Sequence, residues 1–152
     1  MYAKILVPVD GSTASSRGLQ EAIMLAKEQH ATIYLLHVVE EYFATQGFDA
    51  GRVATDRLLE ELRDGGRRVL DRAEEKVVEA GVPCQRFMEE NVGQRVADII
   101  VERAKSLAAE LIVLGTHGRR GLRRLVLGSD AEIVLRYTSV PVLLVRAPEE
   151  ES

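Results

Sequence analysis

The strongest constraint on this chain is the alternation of short, almost unbroken apolar runs with longer stretches of helical period. The runs are Ile5 to Val9, Ile33 to Val38, Leu111 to Leu114 and Val140 to Val145. A strand with one wet face alternates polar and apolar residues. These runs do not, so they fit strands covered on both sides, as in a parallel sheet flanked by helices. Their shortness and β-branched content separate them from buried helices. A fifth, weaker strand is predicted at Cys84 to Met88, after the helix-stop signals Gly81 and Pro83. The helical stripes are Leu19, Ala22, Ile23, Ala26; Leu62, Val69, Leu70, Ala73, Val77; Val96, Ile99, Ile100, Ala104, Leu107; and Ala131, Val134, Leu135. Strict β-α alternation of this kind predicts right-handed crossovers and one open α/β sheet with helices on both faces.

A chain of 152 residues suits one domain, and one domain suits that many strands and helices. No internal repeat is visible. The expected division is a single domain over residues 1–147 and an acidic tail over 148–152 that includes Glu149, Glu150 and Glu151. Cys84 is the sole cysteine, which excludes an intramolecular disulfide and a thiolate zinc cluster. The net charge of -4 speaks against a dedicated nucleic-acid binder. No apolar run approaches the ~20 residues of a membrane helix. The chain begins with a strand-like Met1 to Val7 instead of a signal peptide, so a cytoplasmic protein with no membrane partner is expected.

Two connections exceed the usual ~2 to 6 residues, Glu40 to Thr55 and Gly115 to Gly128. Open α/β sheets bind ligands beyond the carboxyl ends of their strands, which directs attention to Pro8-Val9-Asp10-Gly11-Ser12 and to the segment from Gly115 onward. Gly115, Gly118 and Gly128 let backbone approach a ligand closely, and Ser129 opens a helix whose N-terminal amides suit phosphate. Arg119, Arg120, Arg123 and Arg124 add positive potential. The same residues also read as ordinary structure. Ser129 and Glu132 form a capping-box pattern, Gly115 ends a strand, the arginines face solvent, and Asp10 caps the first helix. His37 is expected to pack near a strand end, His30 to face solvent at a helix end, and His117 to shape its loop.

Enzyme signatures are missing: the chain has no G-x-x-x-x-G-K-S/T, no G-x-G-x-x-G and no G-x-S-x-G. No histidine pair has ligand spacing, so the sequence supports no metal site built from protein ligands alone. With no water-positioning base at the phosphate end, any hydrolysis would be slow.

Taken as a spaced set, Gly115-x2-Gly118-x9-Gly128-Ser129 resembles the signature of the nucleotide-binding universal stress proteins. The opening Ile5 to Ser12, the second-strand ending Leu36-His37-Val38 and the closing Val140 to Val145 resemble that family's framework too. The resemblance implies an adenine nucleotide alpha hydrolase-like fold of five parallel strands in order 3-2-1-4-5. It implies bound ATP, with ADP or AMP as variants, accompanied by Mg²⁺. On matching positions, Asp10 would meet the ribose or a phosphate-bound metal, Pro8 and Val9 would line the adenine, and the Val38 backbone would bond it. Gly115 would lie by the ribose, with Gly118, Arg119, Gly128, Ser129 and the backbone of Asp130 around the phosphates. Asp130 departs from the pattern, since an apolar residue often follows the Gly-Ser pair. The apolar last strand, expected at a sheet edge, also suggests a homodimer through Val140, Val142 and Leu144, as the resemblance does. The function implied is an ATP-binding regulatory or stress-response module without a dedicated catalytic apparatus. An adenylating enzyme of the ATP pyrophosphatase type and a nucleotide-free chaperone-like dimer stand as alternatives.

Overall fold

The structure, a computed structural model, describes residues 1–40, 51–91, 93–117 and 129–148. In chain order the elements are β1 (Lys4–Pro8), α1 (Thr13–Gln29), β2 (Thr32–Glu40), α2 (Gly51–Glu79), β3 (Cys84–Asn91), α3 (Val96–Ser106), β4 (Leu111–His117), α4 (Ser129–Tyr137) and β5 (Val142–Ala147). The strands form one sheet in the order β3-β2-β1-β4-β5, and every pairing is parallel. The expected fold class and strand order are therefore those observed.

The unbroken apolar runs are explained by two cores, one on each face. Ile5, Val7, Ile33, Leu35 and Val113 pack with Leu19, Ala22 and Ala26 of α1 and Leu70, Ala73 and Val77 of α2. Leu6, Tyr34, Leu36, Ile112 and Leu114 pack with Ala97, Ile100 and Ala104 of α3 and Ala131 and Val134 of α4. Successive strand residues thus point into opposite cores, and each fully buried Leu or Ile contributes about 1.5–3 kcal/mol relative to exposure.

Helix ends follow local chemistry. Ser12 is the N-cap of α1, its hydroxyl accepting the Ser15 amide at 3.1 Å. His30, exposed as expected, closes α1 in the left-handed conformation with φ 56° and donates its amide to the Ala26 carbonyl.

Several expected boundaries move. The α2 helix begins at Gly51, so the long connection expected over Glu40 to Thr55 is shorter, and its remainder lies outside the described residues. β3 runs on to Asn91 and β4 to His117, while β5 starts at Val142. Leu135, expected in the buried stripe of α4, is 40% exposed, because the narrow contact with the second core is filled by Ala131 and Val134.

The two sheet edges differ in kind. On β3, Arg86 pairs with Asp71 and Glu74 of α2, Arg63 of α2 pairs with Glu90, and Arg103 of α3 pairs with Glu89. Charged residues at an edge discourage strand addition. β5 presents Val142, Leu143 and Leu144 instead, with Leu143 38% exposed.

Candidate nucleotide crevice

Strand order reverses between β1 and β4. From β1 the chain goes outward through β2 and β3, and then crosses to the other side of β1. The helices that follow β1 and β4 therefore pack on opposite faces, α1 in the first core and α4 in the second, and in open α/β sheets this is the place where ligands bind. Pro8 ends β1, with Val9 buried and Asp10 exposed just beyond it. His117 ends β4, and α4 begins at Ser129 with Asp130 exposed in its first turn. Gly118, Arg119 and Gly128, with the further arginines 120, 123 and 124, lie outside the described residues.

The loop after β1 is held by short polar contacts. Asp10 accepts the Ser12 amide on Oδ1 at 2.9 Å, while the Asp10 amide donates to Ser15 Oγ at 3.2 Å. Asp10 is therefore not the helix cap, as the alternative reading had it. Ser12 takes that role because it sits one residue before the first helical turn, and Asp10 instead closes the tight turn ahead of it. Gly11 adopts φ +83°, where a side chain would be strained and its Cβ would lie 3.2 Å from Val69 Cγ2. A carboxylate has acceptor positions on both oxygens, so Asp10 can accept from a ribose hydroxyl as well as from Ser12.

β2 runs past the end of β1. Their last paired residues are Pro8 and Leu36, and one further bond joins the Val9 amide to the Leu36 carbonyl at 2.8 Å. The Thr32 amide likewise bonds Ala3, whereas the Ile33 amide bonds Pro83 toward β3. In a parallel ladder both backbone groups of a residue face the same neighbour, and the facing alternates. The amide and carbonyl of Val38 are consequently turned toward the side where β1 has ended. That is the geometry a backbone needs to hydrogen-bond a planar base.

Gly115 lies inside β4, opposite Val145, and does not end the strand. A Cβ there would overlap the Ala14 carbonyl of α1, and one on Gly18 would lie 3.0 Å from the Gly115 nitrogen. Close backbone approach is thus required at Gly115, but by a helix.

Sequence reasoning missed two features. His37 Nδ1 lies 2.8 Å from the Val9 carbonyl, and Gly66 of α2 packs against the same imidazole. A cavity of about 440 Å³ also opens between α1 and α2 beneath Gly11, with Val9, Leu19 and Val69 as apolar lining and Arg72 and Glu75 among its polar residues. Only the glycine pair Gly65-Gly66, unusual within a helix, signalled a close approach in the sequence. Among the described residues no three His, Cys, Asp or Glu side chains gather as a metal site. A lone carboxylate fits Mg²⁺ that arrives with phosphates, since this ion is typically held through one or two carboxylates plus phosphate oxygens.

This is the architecture of an open parallel α/β domain, a class that binds ligands where the strand order turns. The model of the universal stress protein family matches residues 1–146, and the chain belongs to that family. It is similar to the universal stress protein YxiE of Bacillus subtilis, 35% identical over 151 residues that cover 96% of this chain and 100% of the relative. A crystal structure of a universal stress protein family member from Burkholderia pseudomallei is 33% identical, with a TM-score of 0.75 over 95% of this chain and 96% of that one. An Arabidopsis thaliana family protein solved with AMP bound shares the fold, with a TM-score of 0.71 at 18% identity over 96% of this chain and 92% of that one.

Proposed function

We propose that this chain is a nucleotide-binding universal stress protein, acting as a regulatory module that takes ATP, or AMP and ADP, in the crevice between β1 and β4. The observation that carries the reading is the backbone of Val38, turned toward the space where β1 stops and Asp10 begins. The AMP-bound plant relative supports the class of ligand. In this reading Pro8, Val9 and Val38 face the adenine, Asp10 takes the ribose or a phosphate-held Mg²⁺, and Gly115 lies near the ribose. Gly118, Arg119, Gly128, Ser129 and the Asp130 amide surround the phosphates. The N-terminal amides of α4 favour an anion, and the Asp130 carboxylate shares that preference as a competitor whose backbone alone is needed.

Bound nucleotide changes the conformation or partner choice of the module, with slow turnover or none. The reading extends to one domain over residues 1–147 with a tail over 148–152, to a cytoplasmic protein, and to a homodimer joined through β5 with Val140, Val142 and Leu144 at the contact. Titration calorimetry with Mg-ATP and with AMP tests it. Saturable heat with one site per chain is expected, and no heat at millimolar nucleotide overturns it.

A further inference from the structure

The imidazole of His37 joins three elements at the rim of the crevice. Its Nδ1 lies 2.8 Å from the Val9 carbonyl, and a carbonyl oxygen only accepts, so Nδ1 carries the proton and donates. On the other side α2 presses on the ring. A Cβ on Gly66 would lie 2.7 Å from His37 Cδ2 and 3.1 Å from Nε2, and 3.0 Å from Met88 Sδ of β3. Glycine at this buried helix position is what lets the imidazole stand between α2 and the end of β1.

The Val9 carbonyl is the last strand-like acceptor before the chain turns at Asp10 and Gly11. The Val9 amide is tied to Leu36, and the Asp10 amide to Ser15. His37 closes this set by tying down the carbonyl between them. Its own backbone neighbour is Val38. One side chain therefore fixes the spacing between the two backbone segments, Val9-Asp10 and Val38, that border the open end of β1.

We infer that His37 is a positioning residue of the crevice, holding the Val9-Asp10 turn at a set distance from Val38 so that a planar base fits between them. The inference rests on the nucleotide reading above. Supporting hydrogen bonds of this kind govern how accurately a binding site is held, and a displacement of about 1 Å is enough to spoil it. The effect falls on the base end of the ligand, because Val9 and Val38 border that end, while β4 and the start of α4 lie on the far side of β1.

The test uses the full chain with two substitutions. His37→Phe keeps a ring against Gly66 but removes the donor. His37→Asn places an amide nitrogen near the Nδ1 position and restores a donor. Binding of AMP and of inorganic tripolyphosphate is measured by calorimetry, and amide hydrogen exchange is followed without ligand. His37→Phe should weaken AMP roughly tenfold, leave tripolyphosphate within about twofold, and speed exchange at Val9 and Asp10 while Ala22 is unchanged; a tenfold loss corresponds to about 1.4 kcal/mol. His37→Asn should recover most of the AMP affinity. Unchanged exchange at Val9 and Asp10 in His37→Phe overturns the inference, as does equal loss of both ligands without rescue by His37→Asn. If the unaltered chain binds no AMP, the nucleotide reading and the base-positioning role fall together, and the exchange result then shows only whether His37 orders the turn.

Discussion

Gly18 and Gly115 meet backbone to backbone where α1 crosses β4, with room for a Cβ on neither: one on Gly18 would lie 3.0 Å from the Gly115 nitrogen. This contact sets how deeply the first turn of α1, and with it Ser12 and Ser15, sits over the sheet.

Gly115→Ala should therefore be more damaging than Gly18→Ala. Its Cβ meets the Ala14 carbonyl, an atom of helix backbone that cannot rotate away. Overpacking of this kind typically costs about 1–3 kcal/mol. Urea unfolding should show a lower midpoint for Gly115→Ala with an unchanged slope. A midpoint equal to that of the unaltered protein would mean the helix and strand are not in contact.

Asp10 serves the turn and, in the proposed function, the ligand; two substitutions separate these roles. Asp10→Asn retains an oxygen to accept the Ser12 amide and removes only the charge, so stability should stay within about 0.5 kcal/mol while Mg-ATP binding weakens. Asp10→Ala loses the turn contact as well, at about 1 kcal/mol. Equal nucleotide affinity in Asp10→Asn and the unaltered chain would remove Asp10 from the ligand site.

Burial pushes the Cys84 thiol up to about 11 from 9.0, helped by Glu74 and opposed by Arg86. At pH 8 the thiolate fraction is then on the order of a hundredfold lower than for an unperturbed thiol, and iodoacetamide should react correspondingly slowly. The linkage has a definite sign. Above pH 9 the unfolded chain releases this proton while the folded chain keeps it, so stability should fall between about pH 9 and 11. Cys84→Ser should lose less stability over that interval. Alkylation as fast as in a short peptide would refute the half-buried, protonated thiol.

On β5 the Ile112 amide bonds the Pro141 carbonyl, so odd-numbered residues of that strand face β4 and the amides of Val142, Leu144 and Arg146 point outward. The side chains of Val142 and Leu144 pack partly into the second core, so replacing them disturbs the fold along with the edge. Arg146→Pro is the cleaner probe, removing an outward amide at an exposed position. If β5 joins two copies by strand pairing, light scattering should show a mass shift to that of one 16.8 kDa chain. Val145→Pro, which deletes a ladder bond to β4, should unfold the chain. An Arg146→Pro protein with unaltered mass would exclude pairing through this edge.

The fold was legible because its signal is local and redundant. A run such as Ile33 to Val38 cannot leave a face in water, and four such runs with a weaker fifth strand, separated by helical stripes, admit few topologies. The site was legible only in part. Gly115 reads as a strand end because glycine is a poor strand residue, yet β4 continues through it to accommodate α1. Asp10 and Ser12 are both good caps, and the choice between them depends on where α1 begins. His37 and Val9 are 28 residues apart, and their contact follows from the stagger of two strands, which no local pattern encodes.

That stagger has a consequence of its own. β2 and β3 remain paired out to Glu40 and Asn91, while β1, the central strand, gives up its partnership at Leu36. The sheet is notched at its middle, and backbone groups that a longer β1 would pair with face the notch. A chain of this family with a strand-favouring pair in place of Asp10-Gly11 would zip β1 onward along β2 and fill the notch with its own main chain. In the proposed function, capacity for a ligand comes from a strand that stops early, and lengthening the sheet would abolish it.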